Sequence, residues 1–379
     1  MAGLRLAYFV HDVSDPAVAK RVRMMRAGEA DVTVVGFRRS DIPVAEVEGA
    51  RVIDLGRTYD ARFAHRALAV ARRLLQTGAR QRALGKIDVF LARNLEMLVL
   101  AEAARKSQRT QAGLVYECLD VHRLMVGEGP VGIGLRALEK RLLRRVGLLI
   151  VSSTAFLSSY FEPRQGVGRD LPVPVMMVEN KVFPPIPANE NVALRPAHRP
   201  WKIGWFGAIR CRRSMEILCD LACRRPDLVE VVIRGRASEA EFEDLPALLA
   251  DLPNVSFEGP YAAEDLAEIY SQVHFTWAID YFEAGANSDW LLPNRIYEGG
   301  LHGAVPMALA DVETGAWLAE RELGLLMTDP ATELEAMLEA MTPESYVELA
   351  GRSLAAPRSL FVADAEDCAR LTTALASAA

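Results

Sequence analysis

Short apolar runs alternate with longer amphipathic stretches along most of the chain. Leu4–Val10, Asp31–Phe37, Ile87–Ala92, Leu114–Cys118 and Leu148–Ser152 read as strands, each followed by a longer amphipathic or basic segment. Strands buried on both faces carry apolar runs rather than alternation, so this order predicts βαβ units and a parallel sheet covered by helices. The pattern breaks at Pro184-Pro185-Ile186-Pro187 and Arg195-Pro196-Ala197-His198-Arg199-Pro200, which enclose a polar segment. Helix interiors and central strands do not tolerate such proline density, so this stretch reads as an interdomain linker. Strand candidates then resume at Lys202–Phe206, Val229–Arg234, Asn254–Glu258, His274–Ala278 and Val305–Ala310, with helices at Ser214–Cys223 and Ala263–Ser271 between them. The expected architecture is α/β: two doubly wound domains, residues 1–190 and 200–360, facing each other across a cleft, with a terminal helix over 361–379. Ligands of such sheets bind beyond the carboxyl ends of the strands, which places the expected active site between the halves.

Composition agrees with a large globular enzyme. At 379 residues the chain exceeds the size at which one core keeps growing. About half of it is hydrophobic and a quarter charged. The five cysteines show no paired spacing and no accompanying histidine pattern, which predicts reduced thiols rather than a zinc site or a disulfide frame. The opening apolar segment stops at His11-Asp12, too short for a signal peptide, and the longest uncharged run, Val146 to Phe161, falls short of a bilayer span. These features predict a cytoplasmic protein with no membrane crossing.

Charge divides unevenly. Residues 1–190 carry 29 Lys+Arg against 20 Asp+Glu, or +9, and the remainder 15 against 30, or −15, which sums to the net −6. The basic residues concentrate in Arg62, Arg66, Arg72, Arg73, Arg80, Arg82 and Lys86, and again in Arg136, Lys140, Arg141, Arg144 and Arg145, both at helical spacing. A solvated helix face is the plainer reading. The alternative is docking on anionic lipid, worth about 1 kcal/mol per basic residue near the surface.

The stretch Pro293-Asn294-Arg295-Ile296-Tyr297-Glu298-Gly299-Gly300-Leu301-His302-Gly303-Ala304-Val305-Pro306 carries the richest chemistry. It predicts a helix start whose unpaired N–H groups suit a diphosphate, with Glu298 in the first turn as an acceptor for both hydroxyls of a ribose. The strand Lys202–Phe206 runs into a turn at Gly207, then Arg210, Arg212 and Arg213, a backbone approach for phosphate flanked by charged donors. Similar turns recur at Arg234-Gly235-Arg236 and Gly259-Pro260-Tyr261. Asp280, Tyr281, Asn287 and Asp289 suit hexose recognition or a surface loop equally. Asp120 and His122 follow the strand Leu114–Cys118, where a cleft-facing base belongs, and a local helix cap is the competing reading. His11, Asp12 and Asp15, at the end of the first strand, are candidates for contact with an acceptor sugar or for turn chemistry alone. No Asp-x-Asp follows a nucleotide-binding strand, and Asp364-Ala365-Glu366-Asp367 lies near the terminus, so no metal and no cofactor is expected.

Taken together, "NVSFEGPYAAEDLAEIYSQVHF", "PNRIYEGGLHGAVP" and the two strand-glycine-arginine turns resemble the donor half of GT-B glycosyltransferases, especially family 4 and its exopolysaccharide relatives. "SDPAVAKRVRMMRAGEADVTVVGF" and "IDVFLARNLEMLVLAEAARK" with "LVYECLDVHRL" are similar to the acceptor half. The resemblance implies two Rossmann-like domains and a nucleotide-sugar donor, UDP-sugar before GDP-sugar. Its donor set is Gly207, Arg210, Arg212, Arg213, Arg234, Tyr261, Asp280, Asn294, Arg295 and Glu298, and its cleft histidine is His122. One position departs from the pattern: eight residues before Glu298, where retaining members carry a second glutamate, stands Trp290. The implied activity is sugar transfer to a lipid-linked oligosaccharide in exopolysaccharide or cell-surface glycan synthesis, by a protein peripheral to the inner face of the cytoplasmic membrane and without nucleic acid. A nucleotide-sugar epimerase of the same fold and a non-catalytic scaffold are the alternatives.

Overall fold

The computed structural model describes residues 3–58, 84–184 and 195–379. Arg62, Arg66, Arg72, Arg73, Arg80 and Arg82 of the first basic run, and part of the expected linker, lie outside them. The chain forms two units, one of residues 1–179 with 363–379 and the other of 180–362.

The first unit holds β1 (Arg5–Val10), α1 (Pro16–Ala27), β2 (Asp31–Arg38), β3 (Glu46–Val47), β4 (Ala50–Arg57), β5 (Val89–Arg93), α2 (Asn94–Ser107), β6 (Gly113–Cys118), α3 (Pro130–Leu143), β7 (Leu148–Val151) and β8 (Val175–Met177). Its sheet order is β3-β4-β2-β1-β5-β6-β7-β8, parallel throughout except for the edge pair β3 and β4. β5, β6 and β7 are buried at every position, as expected of strands covered on both faces. α1 begins where Asp15 Oδ1 accepts from the Ala17 amide at 2.8 Å with Pro16 at the first helical position, and it stops at Gly28.

The second unit holds β9 (Trp201–Ile209), α4 (Arg212–Arg224), β10 (Val229–Ala237), β11 (Val255–Phe257), α5 (Leu266–Ser271), β12 (Phe275–Trp277), α6 (Asn294–Leu301), β13 (Val305–Leu309) and β14 (Leu325–Met327), with further helices after it. Its order, β11-β10-β9-β12-β13-β14, is parallel throughout. Renumbered from β9, that is 3-2-1-4-5-6, the doubly wound order with its switch point beside β9. Trp201, Trp205 and Trp277 fill the core on this sheet. The last helix, α7 (Ala365–Ser377), packs against α1 in the first unit, with Thr372 close above Gly28.

Candidate functional site

The carboxyl ends of β9 and β10 make a floor without side chains. Gly207 and Gly235 are register partners at φ +107° and +138°, and a Cβ on Gly235 would lie 1.8 Å from the Gly207 carbonyl oxygen. Only glycine allows both this backbone and this approach.

Side chains from four elements surround that floor. Phe206, the residue before it, packs edge-on against Tyr261 and Tyr270 with centroids at 6.3 and 4.9 Å. Arg295, in the first turn of α6, donates from Nη1 to the Phe206 carbonyl at 3.3 Å, while its Nε is buried without an acceptor. Tyr270 on α5 donates its hydroxyl to Glu298 Oε2 at 3.0 Å, and His302 at the end of α6 stacks on the same ring at 6.1 Å and 17°. Arg234, at the end of β10, pairs with Glu258 at 3.5 Å.

These groups feel one another. Burial raises the Tyr261 hydroxyl above its ordinary range, Glu298 raises it further, and Arg295 and Arg234 oppose. Burial and Glu298 push Tyr270 well up too, so both phenols stay protonated donors. Burial, aided by Arg358, lowers His302 to about 4 and keeps it neutral near pH 7. The arrangement offers two guanidinium groups, a half-buried carboxylate and bare backbone at a strand end, a chemistry suited to phosphate and ribose.

The structure therefore brings together Gly207, Arg234, Tyr261, Arg295 and Glu298. It corrects one detail: α6 begins at Asn294, so Glu298 sits in the second turn rather than the first. The helix starts directly after Pro293, whose backbone is extended, and this places Arg295 in the first turn. Asn294 is exposed at the first helical position.

The other donor candidates are engaged locally. Arg210 pairs with Asp280 at 3.1 Å and lies over Phe282. Arg212 pairs with Glu241 at 3.3 Å over Phe242, and Arg213 lies over Tyr281 at 4.3 Å with Asp329 3.8 Å away. Asn287 Nδ2 donates to Glu283 at 2.6 Å and Asp289 accepts from the Gly285 amide, so both stitch their own loop.

In the first unit Asp120 is exposed in the segment after β6, and His122 caps the short helix Arg123–Val126, its Nδ1 accepting from the Leu124 amide at 3.2 Å. His11 Nε2 lies 3.9 Å from Asp15. Asp12 accepts from Ser14 and pairs with Arg39 at 2.7 Å, while Asp15 caps α1. Asp364 and Asp367 form the capping box of α7, which occupies both carboxylates.

Sequence reasoning missed Tyr270, hidden in an amphipathic helix, and His302, quoted within the motif without a role. It also passed over Cys211, whose sulfur accepts from the amides of Ser214 and Tyr281 at 3.4 and 3.2 Å and so caps α4. All five cysteines are free thiols.

No protein-family model matches the chain. It is 44% identical over 384 residues to the succinoglycan biosynthesis protein ExoL of Rhizobium meliloti (strain 1021), covering 99% of this chain and 94% of that protein. Sucrose-phosphate synthase from Thermosynechococcus elongatus superposes with a TM-score of 0.73 at 14% identity. HepE from Anabaena, solved in complex with UDP-glucose, does so with 0.70 at 15%, and each alignment covers 98% of both chains. Identities that low speak for the fold, which is GT-B. Near-full-length identity to ExoL speaks for kinship, and the chain belongs to the family of this succinoglycan biosynthesis protein, on a GT-B fold.

Proposed function

We propose that this protein is a glycosyltransferase of exopolysaccharide synthesis that draws its sugar from a UDP-sugar held by the second unit and delivers it to a lipid-linked saccharide bound by the first. The convergence of Glu298, Arg295, Tyr261 and Arg234 on the Gly207–Gly235 floor carries this reading. The UDP-glucose complex of HepE, a protein of the same fold, supports it.

In this mechanism Glu298 accepts from the ribose hydroxyls, and Tyr270 fixes the carboxylate from behind. Arg234, Arg295 and the first-turn amides of α6 neutralise the leaving diphosphate, so transfer needs no divalent cation and persists in excess EDTA. In an inverting transfer Asp120 takes the proton of the attacking hydroxyl. The enzyme works at the anionic inner surface of the cytoplasmic membrane, where its acceptor resides; among the described residues no helix is long and apolar enough to cross a bilayer.

Calorimetry and turnover together test the roles. Glu298→Ala should weaken UDP binding at least tenfold, whereas Asp120→Asn should leave UDP binding intact and lower kcat by about 10²-fold or more. Wild-type protein that binds no uridine nucleotide would overturn the donor assignment.

A further inference from the structure

The outward face of α3 is unlike any other helix surface among the described residues of the first unit. Val131, Ile133 and Leu138 are 58%, 56% and 39% exposed, and Gly134 and Ala137 between them are exposed too. On a helix, residues three and four apart share a stripe. One stripe reads Gly134, Leu138, Arg141, Arg145, and its neighbour Ile133, Ala137, Lys140, Arg144. Both pass from apolar side chains to cationic ones along the axis.

The only carboxylate on α3, Glu139, points the other way, wholly buried against Tyr116, Tyr160 and Gln165. Arg136 also leaves the face, donating to the carbonyls of Met125 and Gly127. Of the remaining cations all but Arg145 are lightly held. Arg141 and Arg144 form no ion pair among the described residues, Lys140 is 3.9 Å from Asp170, and Arg145 reaches Glu102 at 2.8 Å. Gly132 seats the helix on its support, with no room for a Cβ beside the Gly127 carbonyl.

We infer that α3 is the element that docks the enzyme on an anionic bilayer, with Val131, Ile133 and Leu138 entering the acyl boundary and Lys140, Arg141 and Arg144 meeting lipid phosphates. An acidic soluble partner would satisfy the cations and leave the bulky apolar residues in water. An uncharged apolar partner would do the reverse. A bilayer surface carrying anionic headgroups satisfies both, because long basic side chains reach the phosphates from a helix lying in the interface. The inference rests on the membrane reading proposed above and narrows it from a basic half of the chain to one helix.

Flotation of the full chain with vesicles of phosphatidylglycerol in phosphatidylcholine, against phosphatidylcholine alone, tests it. Wild type should float with the anionic vesicles only. Ile133→Asp with Leu138→Asp should weaken partition on the order of 100-fold and Arg141→Gln with Arg144→Gln roughly 30-fold. Lys86→Gln with Arg109→Gln, a charge-matched change elsewhere in the unit, should leave it nearly unchanged. An unchanged circular dichroism spectrum and thermal unfolding transition for each variant would show that it folds. Wild type that never floats defeats the membrane reading and this inference together. Wild type that floats while all three variants float equally defeats the assignment to α3 alone. Variants that lose self-association by sedimentation yet keep vesicle binding would identify the face as a contact between copies and overturn the inference.

Discussion

Glu117 and Glu139 are both wholly buried in the first unit, and their environments set them apart. Glu117, on β6, receives Arg21 Nε at 2.5 Å, Arg93 Nε at 2.9 Å and the Tyr8 hydroxyl at 2.5 Å. Glu139, on α3, receives Tyr116 at 2.8 Å and both Tyr160 and Gln165 at 2.6 Å, all neutral donors. The last two come from the π-helix Leu157–Gln165. Burial opposes the charged form at both sites, but Arg93 and Arg21 hold Glu117 down to about 2, whereas burial prevails at Glu139 and lifts it to about 7. Adjacent strand residues face opposite sides of a sheet, so Tyr116 and Glu117 let one strand serve both sites. At Glu139 the neutral donors offset only part of the burial, whereas at Glu117 the added cations overcome it.

The largest effect expected from breaking this contrast is at Glu117. Glu117→Gln removes the buried carboxylate between Arg21 and Arg93, leaving Arg93 only Asp15 at 3.6 Å as counter-charge, and should cost about 3–5 kcal/mol in denaturant unfolding, if it folds at all. Loss of less than 1 kcal/mol would show that the arginines re-pair and that the carboxylate is dispensable.

The next effect is a difference in the sign of pH dependence. Glu117, depressed to about 2, contributes stability above the ordinary glutamate range that is lost as pH falls through about 4 toward 2. Glu139, raised to about 7, binds its proton in the folded state where the unfolded chain has released it, so its contribution fades as pH rises from about 4 to 7. Relative to wild type, Glu139→Gln should therefore gain stability across that window, by up to about 3 kcal/mol between pH 4.5 and 8. Parallel unfolding curves for the two proteins across the range would refute the raised value.

The smallest effect probes the neutral donors one at a time. Tyr160→Phe removes one hydrogen bond from Glu139 and should cost about 1 kcal/mol, more at pH 8 than at pH 5.5 because a charged acceptor binds its donor more strongly. Equal cost at both values would mean that Glu139 does not titrate between them.

The same contrast marks what the sequence could reveal. Long buried strands announce themselves as apolar runs, and the ten strands expected from the sequence all occur within a few residues of their expected limits. β4 escaped because ARVIDLGR mixes charge into a half-exposed strand near the sheet edge, and β3, β8 and β14 are two- or three-residue strands at sheet edges. At the site, Glu298, Arg295 and Gly207 were legible because helix starts and glycine turns have local signatures. Tyr270 was not, since a tyrosine on an amphipathic helix looks the same whether its hydroxyl meets water or a carboxylate. Glu117 carried a usable signal that went unread: a charge inside an otherwise apolar strand needs a buried partner, and Arg93 closes the neighbouring strand in the same way.

The route of the chain has a practical meaning. Val182 and Val362 lie side by side in a parallel bridge, with the Val182 amide donating to the Phe361 carbonyl at 2.8 Å. The second unit is thus a single loop of polypeptide whose two ends meet, spliced into a host that closes with α7. It can be treated as a cassette: excised as one continuous fragment, or exchanged for a relative's. The host, by contrast, cannot be obtained by simple truncation and calls for a graft that rejoins residue 179 to residue 363.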